Sequence, residues 1–427
     1  MSAEVSDVAE IPRFSLRSGA TWADPYPMYA ALRQHSPVHH VEPATDPGTG
    51  EPDAGDYWVL TRHADVLAAA NDATTFSSAQ GLTVAYGELD AIGMADHPPM
   101  VMQDPPTHTA FRRLVSRGFT PRQVVEIEPK VREFVVERLE RLPSGGPADI
   151  VGELFKPLPS MVVAHYLGVP EEDWSRFDGW TEAVVGATSS AGGVGGMDAA
   201  AESAGAATLE MLGYFSELVD YRKRHPADDT VSQLVAAGLA DDPENPHGLL
   251  SIMAFTFTMV AGGNDTTTGM LGGSVALLHR FPEERQRLVD DPGLIPGSVD
   301  ELLRLTSPVQ GLARTTSRDV HYPDTPDGGA TIPAGRKVLL CYGSANRDPS
   351  VYGPDADELD VTRRPRNILT FSHGNHHCLG AAAARMQARV ALAELLARHP
   401  RFTVDVDGIQ WADGNYVRRP TYVGVHV

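Results

Sequence analysis

The 427-residue chain carries 56 acidic against 35 basic side chains, a formal charge of -21, which argues against the basic excess a nucleic-acid-binding face needs. Its 42% hydrophobic content suffices for a large core, and its two cysteines are too few for a disulfide framework, so a reducing cytoplasm is the expected compartment. The opening stretch MSAEVSDVAEIPRFSLRSG lacks the basic start and continuous apolar run of a secretory signal, so residues 1–21 are expected to form a flexible tail ahead of a single domain over 22–427.

Pro25 to Gln34 reads as a short helix, and Pro37 to Val41 with Tyr57 to Thr61 as hairpin strands around a Pro/Gly/Asp-rich loop. A helix from His63 leads into Gly81 to Asp104, a long loop with many apolar residues and a candidate lid. Apolar residues recur at helical spacing over Pro121 to Leu167, Glu171 to Ala183 and Ala206 to Arg224. Ser189 to Gly196, SSAGGVGG, is expected to be a mobile connection and a gate. Ile252 to Leu278 is long enough to cross a bilayer, but Asn264, Asp265, Thr266, Thr267 and Thr268 cluster at its centre, where lipid penalises polar groups most. It therefore reads as a buried helix, with no membrane span. Helical runs follow over Pro282 to Asp290 and Ile295 to Thr306, then short strands at Leu312 to Thr315, Val320 to Tyr322, Ala330 to Ile332 and Lys337 to Cys341. A last helix spans Leu379 to His399 before short strands to Val427. The expected fold is mainly α with a minor β lobe.

The segment FSHGNHHCLG, Phe371 to Gly380, sets Phe, Gly, His, Cys and Gly in the spacing F-x-x-G-x-H-x-C-x-G. Gly374 and Gly380 would let the backbone turn and bring N–H groups toward the sulfur, and the helix from Leu379 would aim its positive end at a thiolate. A zinc site is the competing reading, since His373, His376, His377 and Cys378 are four N/S donors; structural zinc sites, however, usually draw on two separated clusters, and no second Cys/His pair of that kind is present. Cys341, in the apolar run VLLCYG, reads as a free buried thiol.

The loop resembles the haem-binding loop of the cytochrome P-450 family, with Cys378 as the ligand to iron and Phe371, Gly374 and Gly380 shaping its surroundings. Further motifs appear in the family's order from about Trp22 to Val427. Glu301 and Arg304 match its E-x-x-R, with i and i+3 on one helix face, and Arg363 in ELDVTR matches the arginine that completes this structural cluster. DPPTHTAFRR and ARTTSRDV resemble segments that contact haem propionates, which assigns His108, Arg112 and Arg314 to that role, and His376 completes the set. Gly262, Gly263, Asn264, Asp265 and Thr266 match the signature of the helix crossing the distal haem face. Two glycines inside a helix cost about 1 kcal/mol each relative to alanine, and a local opening of the helix as a groove for O2 is the expected reason, with Thr266 replacing part of the backbone bonding. Thr266 and Asp265 are the expected catalytic pair, delivering protons into an otherwise dry site.

The resemblance implies the cytochrome P-450 fold, haem b, O2 as cosubstrate and monooxygenase activity on an apolar small molecule: hydroxylation, or a related oxidation such as N- or O-dealkylation. Natural-product tailoring and oxidation of lipids or steroids are both open, and a haem sensor or carrier without turnover is the alternative from another class. Thr258, Ala261 and Gly262 share the face of Thr266, and with Gln310, Gly311 and Leu312 they are the expected substrate pocket. The stretch after Cys378 is too short for a reductase domain, so electrons are expected from NAD(P)H through a ferredoxin reductase and a ferredoxin. Arg112, Arg113, Arg117, Arg122, Arg385 and Arg389 would offer that acidic partner a basic dock. The context of GGNDTT and VSRGFTPRQV resembles actinobacterial members.

Overall fold

The computed structural model describes residues 13–43, 55–143, 146–174, 176–177, 179–180, 197–240, 247–326 and 328–427. The expected gate at Ser189 to Gly196 and most of the loop between the first two strands lie outside these residues.

Helices dominate, with four small sheets among the described residues, the largest a mixed sheet of five strands. A central helix, His247–Arg280, carries the long apolar run of the sequence. Among the described residues no helix is long and apolar enough to cross a membrane. The central helix instead packs against Pro157–Leu167, Ile295–Thr306 and Ala381–Arg398. Leu271, Val275 and Leu278 sit in the same core cluster as Leu302 of the second helix in that set and Val390 and Leu392 of the third, so its hydrophobicity is spent on helix contacts rather than on lipid.

The five-stranded sheet runs Val38–Val41, Tyr57–Leu60, Lys337–Leu340, Leu312–Thr316, Phe76–Ser77 across its width. The first two strands form the expected antiparallel hairpin, while Tyr57–Leu60 pairs in parallel with Lys337–Leu340, a partner far along the chain. Chain packing starts ahead of the expected Trp22: Phe14 is buried, its ring edge-on to Tyr57, because this side of the sheet offers an apolar surface of Met28, Leu32 and Val59. The continuous helical reading of Pro121 to Leu167 is also corrected. The helix stops at Glu140, and Ala148–Asp149 forms a short strand against Gly424–His426 before helix resumes at Pro157.

Candidate active site

The cysteine loop is built from below by a buried ion cluster. Arg304 meets both carboxylate oxygens of Glu301 at 2.7 Å, and neither side chain is exposed. Arg363 Nε reaches Glu301 Oε1 at 3.0 Å, so the cluster joins two cations to one anion, and backbone carbonyls of Asn346 and Ala356 take up the rest of the Arg304 fork. Asn346, which the sequence reading passed over, hands the order on. Its amide donates to Ser307 Oγ and Thr370 Oγ1, and its Oδ1 accepts the Leu369 N–H at 2.7 Å. Its only signal in the sequence is a carboxamide beside a buried apolar run.

Leu369 opens the loop itself. Gly374 has φ +65°, and a Cβ there would lie 2.7 Å from the Ala70 carbonyl oxygen, so only glycine seats the loop on the end of the His63–Asn71 helix. Gly380 differs: its φ of -85° is ordinary, and a Cβ would meet open space. The Cys378 N–H donates to Phe371 O at 2.8 Å. Solvent reaches Cys378, yet surrounding protein atoms desolvate the sulfur and push the thiol pKa up, against the pull of the Gly380 N–H and of the Arg112 and Arg385 guanidiniums. Arg385 stacks over Phe371 at 4.6 Å.

Beside the sulfur four basic groups converge from three chain segments. The rings of His108 and His376 lie 4.3 Å apart. Both ring nitrogens of His108 are buried without a hydrogen-bond partner. Arg314 is 3% exposed, donates to its neighbour's carbonyl, Ala313 O, and forms no ion pair among the described residues. Arg112 donates to His377 O. Burial, then the charge of Arg314, depresses the His376 pKa to about 3. Such a crowd of buried donors requires an anionic partner. Ser78, whose Oγ lies 3.1 Å from His376 Nε2, joins the group unforeseen.

On the opposite element, most of the central helix is buried, but Thr258, Ala261, Gly262 and Thr266 remain partly or wholly accessible. A Cβ on Gly262 would meet nothing within 4 Å, whereas one on Gly263 would come within 2.6 Å of Val163. The two glycines thus have separate reasons: one leaves space, the other admits the neighbouring helix. The expected opening of the helix does not occur. It stays helical throughout, and Thr266 Oγ1 donates to Gly262 O at 2.8 Å in addition to the backbone ladder.

Asp265 lies on a different stripe. It is 7% exposed, and Arg419 Nε stands 2.7 Å from its Oδ2. Residues 265, 269 and 272 share one face, and Cβ atoms on Gly269 and Gly272 would meet Arg418 O at 2.8 Å and Pro420 at 2.5 Å. Those glycines let the C-terminal segment lie against the helix and deliver Arg419.

Two other expected groupings change. The Gln310 side chain folds back, donating to Ser307 O at 2.6 Å and Thr306 O at 3.3 Å, and a Cβ on Gly311 would strike Leu340 O at 2.9 Å. Both border a small cleft walled by Phe14, Arg17, Tyr29 and Tyr416, and none of residues 258–262 lines it. Leu312 is half-buried in the sheet, against the core around Val338. The basic dock is partly neutralised: Arg385 pairs with Asp300, Arg389 with Glu128 and Arg122 with Glu126, while the Arg117 side chain lies outside the described residues.

A cysteine whose sulfur is flanked by cations and an N–H, a basic cluster whose His108 ring nitrogens lack partners and whose Arg314 has no ion pair among the described residues, and a central helix with an accessible stripe of small residues fit a planar dicarboxylate haem, and define a haem-thiolate protein. Residues 294–410 match the Cytochrome P450 family model. Cytochrome P450 130 of Mycobacterium tuberculosis is 64% identical over 97% of this chain and 98% of its own. The Vitamin D(3) 25-hydroxylase of Pseudonocardia autotrophica is 35% identical over 94% of each. The LnmA cytochrome P450 hydroxylase of Streptomyces atroolivaceus superimposes with a TM-score of 0.78 at 32% identity, covering 95% of this chain and 97% of that one. The chain belongs to the cytochrome P450 family and is a P450 monooxygenase of actinobacterial type.

Proposed function

We propose that this monooxygenase inserts one oxygen atom from O2 into an apolar small molecule in natural-product tailoring, acting in the cytoplasm on electrons passed from NAD(P)H through a ferredoxin reductase and a ferredoxin. The observation that carries the reading is the accessible stripe Thr258, Ala261, Gly262 and Thr266 in the middle of a helix whose residues 252–256, 260, 264–265 and 267–275 are buried. Small, mostly uncharged side chains there suit an apolar guest. The net chemistry takes substrate, O2, two protons and two electrons to hydroxylated product and water.

Cys378 ligates the iron; His108, Arg112, Arg314 and His376 hold the propionates, and Phe371 and Gly374 keep the thiolate loop in place. When bound, the haem supplies dioxygen binding and O–O cleavage, which a thiolate ligand favours by donating electron density. Thr266, its hydroxyl proton given to Gly262 O, turns its lone pairs to the open stripe and steadies a proton-bearing water there. Asp265 brings protons from the C-terminal segment, and it leaves Arg419 to do so, because its carboxylate is held on the neighbouring stripe. Of the expected pocket residues, Thr258, Ala261 and Gly262 bear on the substrate; Gln310, Gly311 and Leu312, which the fold places apart from that stripe, do not.

The hydroxylase of the leinamycin pathway and the hydroxylase of mycinamicin IV among the relatives favour tailoring. The vitamin D(3) relative favours the second reading, a steroid-like or lipid substrate. Titration of the haem-loaded protein with both panels, followed by the Soret shift that accompanies water displacement, separates them. Tight binding and product formation only with steroids would overturn the tailoring assignment. Absence of turnover with surrogate ferredoxins, but not with flavodoxins, would overturn the electron route.

A further inference from the structure

Lys337 is the one charged side chain in the five-stranded sheet's core strand that shows no exposure at all. A buried ammonium is retained only where its charge is compensated. Its Nζ donates to Gln80 O at 2.6 Å, and its own N–H donates to the Tyr86 hydroxyl at 3.2 Å. The groups that face it are Glu88, which favours its charge, and Arg314, which opposes it. Gln80 and Tyr86, which it meets by hydrogen bonds, and Glu88, which acts on it through its charge, lie on one segment, residues 80–88, the near half of the expected lid loop.

That half is tied down elsewhere too. Leu82 O accepts the Ala313 N–H at 2.6 Å, the Val84 N–H donates to the Tyr416 hydroxyl at 3.0 Å, and Glu88 Oε2 accepts both the Thr83 N–H and its hydroxyl. Gly81, at φ +99°, is needed because a Cβ would lie 2.2 Å from Glu88 Oε2. The far end of the loop is anchored as well: Met100 is buried with Met253, Phe255 and Val260 of the central helix. Between the two anchors, residues 90–93 and 95–96 are exposed, Ile92 at 44%.

We propose that Lys337 is the positioning residue that turns segment 80–88 into a fixed wall of the substrate cleft, so that the loop opens through residues 89–98 alone. The ammonium holds the start of the segment through Gln80 O, and its attraction to Glu88 holds the end, which closes the segment on itself through Thr83. Loss of the charge releases both ends at once, while the aliphatic stem can be replaced by a methionine of similar length. The consequence for substrate entry rests on the proposed function; the anchoring itself does not.

The test is amide hydrogen exchange on the full-length protein with Lys337→Met and, separately, Glu88→Gln. Exchange at Thr83 and Val84 is expected to rise about tenfold or more in both variants, as loss of a charge-assisted hydrogen bond implies, with residues 89–98 and the central helix unchanged. Unchanged protection at Thr83 and Val84 in a folded Lys337→Met protein overturns the proposal. So does loosening spread evenly through the sheet and the central helix, which would make Lys337 a general support of the fold. In the haem-loaded form, the association rate of 4-phenylimidazole, read at the Soret band, is expected to rise severalfold in Lys337→Met as a second entry opens. A protein that shows no Soret band would sink the proposed function and leave the exchange result to decide the anchor; an unchanged association rate with exchange raised at Thr83 and Val84 refutes the wall.

Discussion

Arg419 and Asp265 provide the sharpest test of how the tertiary structure disposes the acid proposed to deliver protons. Their side chains are 14% and 10% exposed, and 2.7 Å separates Nε from Oδ2. Removing one partner of a fully buried pair costs about 3–5 kcal/mol, because the other charge stays behind without compensation. The residual exposure here and the hydrogen-bonding capacity of glutamine bring Arg419→Gln down to about 2–3 kcal/mol on that scale. Asp265→Asn strands the guanidinium at a similar penalty, and the double variant removes both charges, so the two single losses should fail to add by about 2 kcal/mol. Urea unfolding of the four haem-loaded proteins, followed by tryptophan fluorescence and haem absorbance, measures that term. Penalties that sum to within about 0.5 kcal/mol would refute the pairing. Turnover separates the two residues: Asp265→Asn is expected to slow product formation about 100-fold or more, as loss of a general acid does, whereas Arg419→Gln, which keeps the acid, should remain within about threefold of the parent.

Thr266→Ala is expected to retain haem but to divert reducing equivalents to hydrogen peroxide or water, read as product formed per NAD(P)H consumed with a surrogate redox chain; unchanged coupling removes Thr266 from proton delivery. Gly374→Ala forces a Cβ to 2.7 Å from Ala70 O at a backbone angle of +65°, so it should destabilise the protein by about 1–3 kcal/mol and speed haem loss to apomyoglobin. Wild-type haem retention in that variant would show that the loop has another way to seat. Glu301→Ala leaves Arg304 buried without its carboxylate, and a loss of about 3–5 kcal/mol in urea unfolding is expected; a loss under about 1 kcal/mol would mean that the Asn346 and Ala356 carbonyls suffice. Cys378→Ser should abolish the thiolate-type spectrum of the reduced carbon monoxide complex, and its persistence would move the ligand elsewhere.

Local spacing made much of this protein legible. The helices Pro282–Asp290 and Ile295–Thr306 and the strands Val320–Tyr322 and Ala330–Ile332 fall where periodicity and breakers place them, because each is decided by neighbours within a few positions. The same holds for Glu301 with Arg304, one helical turn apart, whose pairing the fold buries. What the sequence could not decide are pairings between distant segments. Asp265 is a plausible proton donor from its motif, but only packing puts Arg419 beside it, and the sole advance signal was a run of helix glycines whose purpose, close approach of another backbone, has no address in the sequence. Gln310 is four positions before Arg314 in the sequence, but its side chain turns back into the helix end because Thr306 O and Ser307 O are available there. Lys337 reads as an ordinary strand lysine until the fold buries it under segment 80–88. Composition and short-range periodicity thus determined the class of fold, and a contiguous motif singled out Cys378 as the proposed thiolate, since both rest on local sequence. The pairing of Asp265 with Arg419, of Arg385 with Asp300 and of Arg389 with Glu128 was decided by tertiary structure alone, because a charge takes its role from whichever chain segment is folded against it.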